Sequence, residues 1–273
     1  MNKGRLWKMP VKLDEGKALY SLKLDHFETE LNQLLGNKIK FSFTGEIICP
    51  SCQKKTKKSY SGGFCFPCSQ KLACCDICIV KPEMCHFAKG TCREPDWGEA
   101  NCMIPHYVYL SNTSAVKVGI TRQKQLLTRW IDQGATQGLP ILKVQTRYIS
   151  GRVEKVISEL VSDKTNWREM LKGSSSNIDL MHHRDTLFES CGEELDQLEI
   201  EFGEENVVFL EDESITSISY PVLEYPKKVT SLSFDKTSEI GGELLGIKGQ
   251  YLFFPQGVLN IRKFTSYVVE VDI

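Results

Sequence analysis

The residues with the plainest chemistry in this sequence of 273 are its eleven cysteines. Four fall in two pairs, Cys49-Pro50-Ser51-Cys52 and Cys65-Phe66-Pro67-Cys68. Each C-x-x-C pair turns two thiolates to one side of a tight bend. Two such knuckles complete a tetrahedral Zn²⁺ site with Zn–S bonds of about 2.3 Å and no open position. A closed site of this kind is structural, so no catalysis is expected at it. Between the knuckles lies Lys54-Lys55-Thr56-Lys57-Lys58-Ser59-Tyr60, a basic tip with one aromatic. It is suited to phosphate contact and base stacking, and equally to solubility alone.

A second set lies further on: Cys74, Cys75, Cys78, Cys85, Cys92 and Cys102, with His86 among them. Cys75, Cys78, Cys85 and Cys92 are the expected ligands of a second zinc, and Cys74, His86 or Cys102 could substitute. The irregular spacing suits a loop-rich segment that only a metal can order. It does not favour an iron–sulfur cluster. Trp97 is placed to dock this segment onto the hairpin that begins at His106, or to offer a stacking platform.

The elements that must carry any further chemistry begin at His106. His106 to Ser111 and Val116 to Arg122, joined by Asn112-Thr113-Ser114-Ala115, read as a β-hairpin. Alternation puts Val108, Leu110, Val116, Val118 and Ile120 on a packed face. The other face would present Tyr107, Tyr109, Lys117 and Gly119. Gln123 to Gly134 has helical spacing, with Arg129 at the edge of the buried stripe. Leu142, Val144, Thr146 and Tyr148 alternate as a third strand, and Ser150 can cap a second helix with Glu154 at its margin. Asn166-Trp167-Arg168-Glu169 is a capping box for a third.

That order, with Tyr109, Gly119, Arg129 and Glu154 along it, resembles the GIY-YIG nuclease domain over residues 106–184. Tyr107-Val108-Tyr109 stands where those nucleases have Gly-Ile-Tyr, and Lys117-Val118-Gly119 where they have Tyr-Ile-Gly. The sequence departs from the pattern at Tyr107 and Lys117. It also has Ile157 and Ser158 where many Lys-Ile-Gly relatives carry a His after the metal-binding Glu. The resemblance implies a metal-dependent phosphodiesterase acting on DNA or RNA. Tyr109 would activate water, Arg129 would stabilise transition-state charge, and Glu154 would hold one Mg²⁺ or Mn²⁺. A phenol titrates near ~10, so it needs a cation beside it to serve as a base. Lys117 and Arg122 could supply one, and Gly119 would allow close approach to the backbone. The whole chain, cysteines included, also resembles a bacterial family of unknown function.

Charge is unevenly spread. Residues 1–184 hold 28 Lys+Arg against 17 Asp+Glu, residues 185–225 hold 13 acidic and no basic residues, and residues 226–273 are near neutral. A basic front suits a phosphate-backbone binder. The acidic stretch, with Leu187, Phe188, Leu195 and Leu198 on one face, reads as a solvated helix. His182-His183 lies on the linker before it, and Cys191 reads as a small buried apolar residue. No segment has the apolar run of a membrane span, and Met1-Asn2-Lys3-Gly4 leads into no signal-peptide core. A cytoplasmic location is expected, where cysteines serve as ligands rather than disulfides.

The expected architecture is α+β. Residues 1–48 form a β-rich unit with helical spacing over Phe27–Leu35, and 49–105 a zinc-binding module beginning as a zinc ribbon. Residues 106–184 form a small domain with a three-stranded antiparallel sheet and flanking helices. Residues 185–273 comprise the acidic helix and a small β-barrel-like domain. Two functional readings stand: a nucleic-acid-binding zinc protein with metal-dependent endonuclease activity, or a non-catalytic zinc adaptor for nucleic acid or protein.

Overall fold

Alternation sets the first strands in a computed structural model that describes residues 2–161, 165–173 and 177–273. They are β1 (Asn2–Arg5), β2 (Val11–Asp14), β3 (Lys17–Lys23), β4 (Glu28–Glu30) and β5 (Lys38–Ile48). Ala18, Tyr20 and Leu22 of β3, and Ile39 and Phe41 of β5, turn inward. The Phe27–Leu35 stretch forms β4 and a 3-10 turn over Asn32–Leu34, not the helix its spacing predicts. The Asn32 amide accepts from the Tyr20 N–H at 2.8 Å and donates to the Ala18 carbonyl at 3.0 Å. These bonds hold the segment on the edge of β3, and so short a run gains little from helix formation.

The cysteine-rich segment has β6 (Lys55–Thr56), α1 (Phe66–Lys71) and a series of 3-10 turns before α2 (Pro95–Cys102). Next come β7 (His106–Asn112), β8 (Val116–Arg122), α3 (Leu126–Asp132), β9 (Gln137–Val144), α4 (Arg147–Ser158), α5 (Trp167–Leu171) and α6 (Leu180–Phe202). β7 pairs antiparallel with β8 on one edge and β9 on the other. The expected strand and helix order is present, with two shifted boundaries. Thr146 and Tyr148 do not continue the third strand. The Thr146 hydroxyl accepts from the Ile149 N–H and caps α4, leaving Ser150 inside the helix. Asn166 caps α5 by accepting from the Glu169 N–H. His182 and His183 lie in the first turns of α6. Gly173-Ser174-Ser175-Ser176-Asn177 reads in sequence as a flexible break after α5, and its residues 174–176 lie outside the described residues.

The sheet around the hairpin is wider than three strands, because β10 (Val207–Phe209) and β11 (Thr216–Ser217) both pair with β9. Leu187, Cys191, Leu195 and Leu198 of α6 are buried in the core under this sheet. The acidic side chains of that helix face outward. The remaining strands are β12 (Glu239–Glu243), β13 (Gly246–Lys248), β14 (Tyr251–Phe254), β15 (Gly257–Asn260) and β16 (Tyr267–Asp272). They do not build the expected barrel. β16 pairs with both β1 and β5, and β12 takes the other edge of β5, so the two ends of the chain share one sheet. β13, β14 and β15 form a separate meander. Alternation says which face of a strand is buried but not which strand lies beside it.

Two large cores result. One joins Val108, Leu110, Val118 and Ile120 to Val153 and Ile157 of α4 and to α6. The other gathers both chain ends and takes in Tyr109, Trp130 and Ile131. The hairpin sheet is therefore covered on both faces. No helix among the described residues is long and apolar enough to cross a membrane.

Candidate metal centre and tyrosine cluster

The two knuckles meet. Cys49 directly follows β5, Cys65 is the N-cap of α1, and the thiol sulfurs of Cys49, Cys52, Cys65 and Cys68 all lie within 4.8 Å of one another. Cys52 Sγ is 3.7 Å from Cys65 Sγ. A disulfide would need about 2.05 Å. The edge of a ZnS₄ tetrahedron with 2.3 Å bonds is about 3.8 Å, so the donor set fits Zn²⁺. Burial opposes ionisation of Cys49, but the backbone N–H groups of Cys52, Cys65 and Ser51 outweigh it and bring the thiol down to about 6. Cys68 is pushed up to about 12, chiefly by Cys65 beside it.

The loop between the knuckles stands in solvent. Lys54, Lys57 and Lys58 are exposed, Lys55 pairs with Glu46, and the Lys58 ammonium lies 5.5 Å from the Tyr60 ring centroid. Tyr60 meets Phe66 edge to face at 5.5 Å, and Phe66 is 56 % exposed. Sequence reading found the lysines and Tyr60. It missed Phe66, which sits inside the second knuckle and looks like a spacer.

The second cysteine set divides. Cys78, Cys85, Cys92 and Cys102 line a cavity of about 10 Å³, together with Asp76, His86 and Trp97. Cys75 is not among its walls and instead lies beside Cys74, sulfur to sulfur 3.9 Å. Asp76, Cys78 and His86 also bring donor atoms within 4.8 Å of one another.

Tyr109 is fully buried, so its phenol is not presented at an open face as expected, while Tyr107 on the same face is half-buried. Its hydroxyl donates to Gln133 Oε1 at 3.1 Å, and its ring meets Trp130 edge to face at 5.9 Å. Gly119 lies opposite it across the hairpin, and a Cβ there would stand 2.6 Å from the phenol oxygen. The close approach that Gly119 permits is thus that of Tyr109. Burial pushes the phenol above its ordinary value, the Arg129 guanidinium pulls it back, and the Glu154 carboxylate pushes it up again. Tyr109, Arg129 and Glu154, far apart in sequence, therefore share one electrostatic neighbourhood. Arg147 belongs to it too, because both Arg129 and Glu154 act on its guanidinium.

The cation beside the phenol is Arg129, whose Nε is buried without a hydrogen-bond partner. Lys117 is buried farther along β8. Arg122 is engaged elsewhere, donating to Asn101 and, at 3.0 Å, to Gln125 Oε1. Glu154 does not belong to a cluster of three or more metal-ligating groups among the described residues. A single carboxylate near two guanidinium groups does not by itself make a site for Mg²⁺ or Mn²⁺.

α4 also carries the contact to the cysteine-rich segment. Arg147 Nη2 donates to the Ile79 carbonyl at 2.6 Å and Nε to that of Cys78 at 3.4 Å. One turn on, a Cβ at Gly151 would stand 2.5 Å from the Glu83 N and Pro82 Cβ, so only glycine admits that turn. Sequence periodicity marks Gly151 as part of a helix and gives no sign of this packing.

No curated protein and no solved structure matches this chain. A family model described as a protein of unknown function (DUF2797) matches residues 36–269, and the chain belongs to that family.

Proposed function

We propose that this chain is a nucleic-acid-binding zinc protein whose zinc-ordered loop touches the phosphate backbone and stacks on a base. The observation that carries the reading is the group of exposed Lys54, Lys57 and Lys58 around Tyr60 and Phe66, directly beside four grouped thiols. Lysines neutralise phosphates and release counterions. A solvent-facing aromatic offers a sequence-tolerant platform worth about 1–3 kcal/mol per stacked base. Zinc contributes by fixing the loop between its two knuckles, so the cations need not be ordered on binding.

The test is fluorescence anisotropy with labelled single- and double-stranded DNA and RNA. Binding should weaken about 5- to 150-fold in Phe66→Ala if one base stacks there. Absence of binding at low salt to every one of these probes would overturn the reading.

A second reading, phosphodiester cleavage, is favoured by one observation: Arg129 and Glu154 both act on Tyr109. In this reading Arg129 holds a non-bridging phosphate oxygen, and Glu154 would hold a hard cation whose remaining ligands are substrate oxygens and water. The buried phenol stays protonated and keeps Arg129 and Gln133 in place. Nicking of DNA or RNA in Mg²⁺ or Mn²⁺ that is lost in Glu154→Ala would support it. Equal nicking by both proteins would dismiss it.

A further inference from the structure

We propose that Cys78, Cys85, Cys92 and Cys102 hold a second zinc ion, and that this centre orders the cysteine-rich segment that rests on the helix bearing Glu154. All four side chains line one cavity of about 10 Å³, roughly the space of a single water-sized sphere; no three of their sulfurs lie within 4.8 Å of one another, so the ion would draw them together. They come from a 3-10 turn (Cys78), two loop positions (Cys85, Cys92) and the last residue of α2 (Cys102). None is in a disulfide.

The segment needs such a link. Between Ala73 and Lys89 it is a series of three-residue 3-10 turns, and Ile77, Val80 and Met84 are exposed. Only Ala73, Cys78 and Pro82 of these turns are buried, and a metal is the usual support for a segment with so small a core.

Asp76 and His86 border the same cavity but are already occupied. Arg93 Nε lies 2.6 Å from the Asp76 carboxylate. His86 meets Thr91 Oγ1 through Nδ1 at 2.8 Å and Asp76 through Nε2 at 3.4 Å. Held by these partners, they lie within 4.8 Å of the Cys78 sulfur as neighbours of the kind that orient a ligand. On binding, four thiols release their protons to solvent, four Zn–S bonds form and nothing is oxidised or reduced. The resulting charge of −2 is offset by Arg147, whose guanidinium reaches the Cys78 carbonyl. Arg147 is the arginine of α4 that donates to the Cys78 and Ile79 carbonyls. The centre thus orders the segment, and Arg147 joins it to α4.

Metal content of the purified full chain, measured by plasma mass spectrometry, tests this. Wild type should carry two zinc ions, Cys102→Ser and Cys78→Ser one each, and Cys75→Ser and His86→Ala two. In Co²⁺-loaded wild type the thiolate-to-metal charge-transfer band should have twice the amplitude seen in Cys102→Ser. A single ion in wild type overturns the proposal, whatever the variants do. Loss of an ion in Cys75→Ser or His86→Ala overturns the ligand set, and the latter would assign the site to Asp76, Cys78 and His86.

Discussion

Tyr109 and Gly119 face each other across the hairpin, and the phenol occupies the space where any side chain on Gly119 would begin. The glycine is there for the tyrosine. A Cβ 2.6 Å from the hydroxyl oxygen and 2.7 Å from Cζ cannot be absorbed by a flexible tip, because the ring is wedged against Trp130. Gly119→Ala should therefore destabilise the fold by about 1–3 kcal/mol, read from urea unfolding. An unchanged midpoint would mean the phenol can move aside.

His106 gives the protein an acid-sensitive element. It is buried, and its Nδ1 meets the Ile104 carbonyl at 2.7 Å while Nε2 has no hydrogen-bond partner. Burial pushes its pKa down to about 4, with Arg147 and Arg122 helping. Below its ordinary value near 6.5 the unfolded chain takes up a proton that the folded one refuses, so stability falls as pH falls. The loss runs from about pH 6.5 to 4 and amounts to about 3 kcal/mol. His106→Phe should show a shallower decline across that window. Zinc release affects both proteins alike, so equal slopes would contradict the assignment.

Arg147 should matter beyond its own helix. Arg147→Met leaves the carbonyls of Cys78 and Ile79 without their guanidinium donor, at a cost of about 1.5–3 kcal/mol. Limited proteolysis should then cut residues 76–85 faster than in wild type. An unaltered cleavage pattern would mean that the zinc centre and the Gly151 contact secure the segment without Arg147.

Removing the first metal should have a local effect. In Cys52→Ser, or after chelation, the lysine loop loses its tether and becomes protease-sensitive, since a zinc-ordered turn rarely survives without its ion. The shared sheet of β1, β16, β5 and β12 has its own apolar core, so far-UV circular dichroism should change little. Global unfolding would show that the knuckles hold more than their loop.

Much of this was legible in the residues, where the signal is local. Local patterns carried the hairpin, the helix around Arg129, the Asn166 cap and the first four thiols, because spacing and turn chemistry act over a few residues. What depends on partners distant in sequence was not legible. Alternation placed Tyr109 and Lys117 on one face of the hairpin but did not reveal that the chain ends would cover it. The second thiol set was ambiguous because Cys75-x-x-Cys78 looks like a knuckle, while the cavity is completed by Cys102 at the end of α2. Gly151 carries no sequence signal of its packing, and Phe66 none of its exposure.

The salt dependence of nucleic-acid binding tests the central claim most directly. Anisotropy titrations of a labelled single strand across a range of salt should give a log Kd against log salt slope near 0.7 per phosphate contacted. In Lys54→Ala/Lys57→Ala/Lys58→Ala that slope should fall by about 2, with weaker binding at every salt concentration. An identical slope and affinity in the triple variant would contradict the account and leave these lysines as solvated surface.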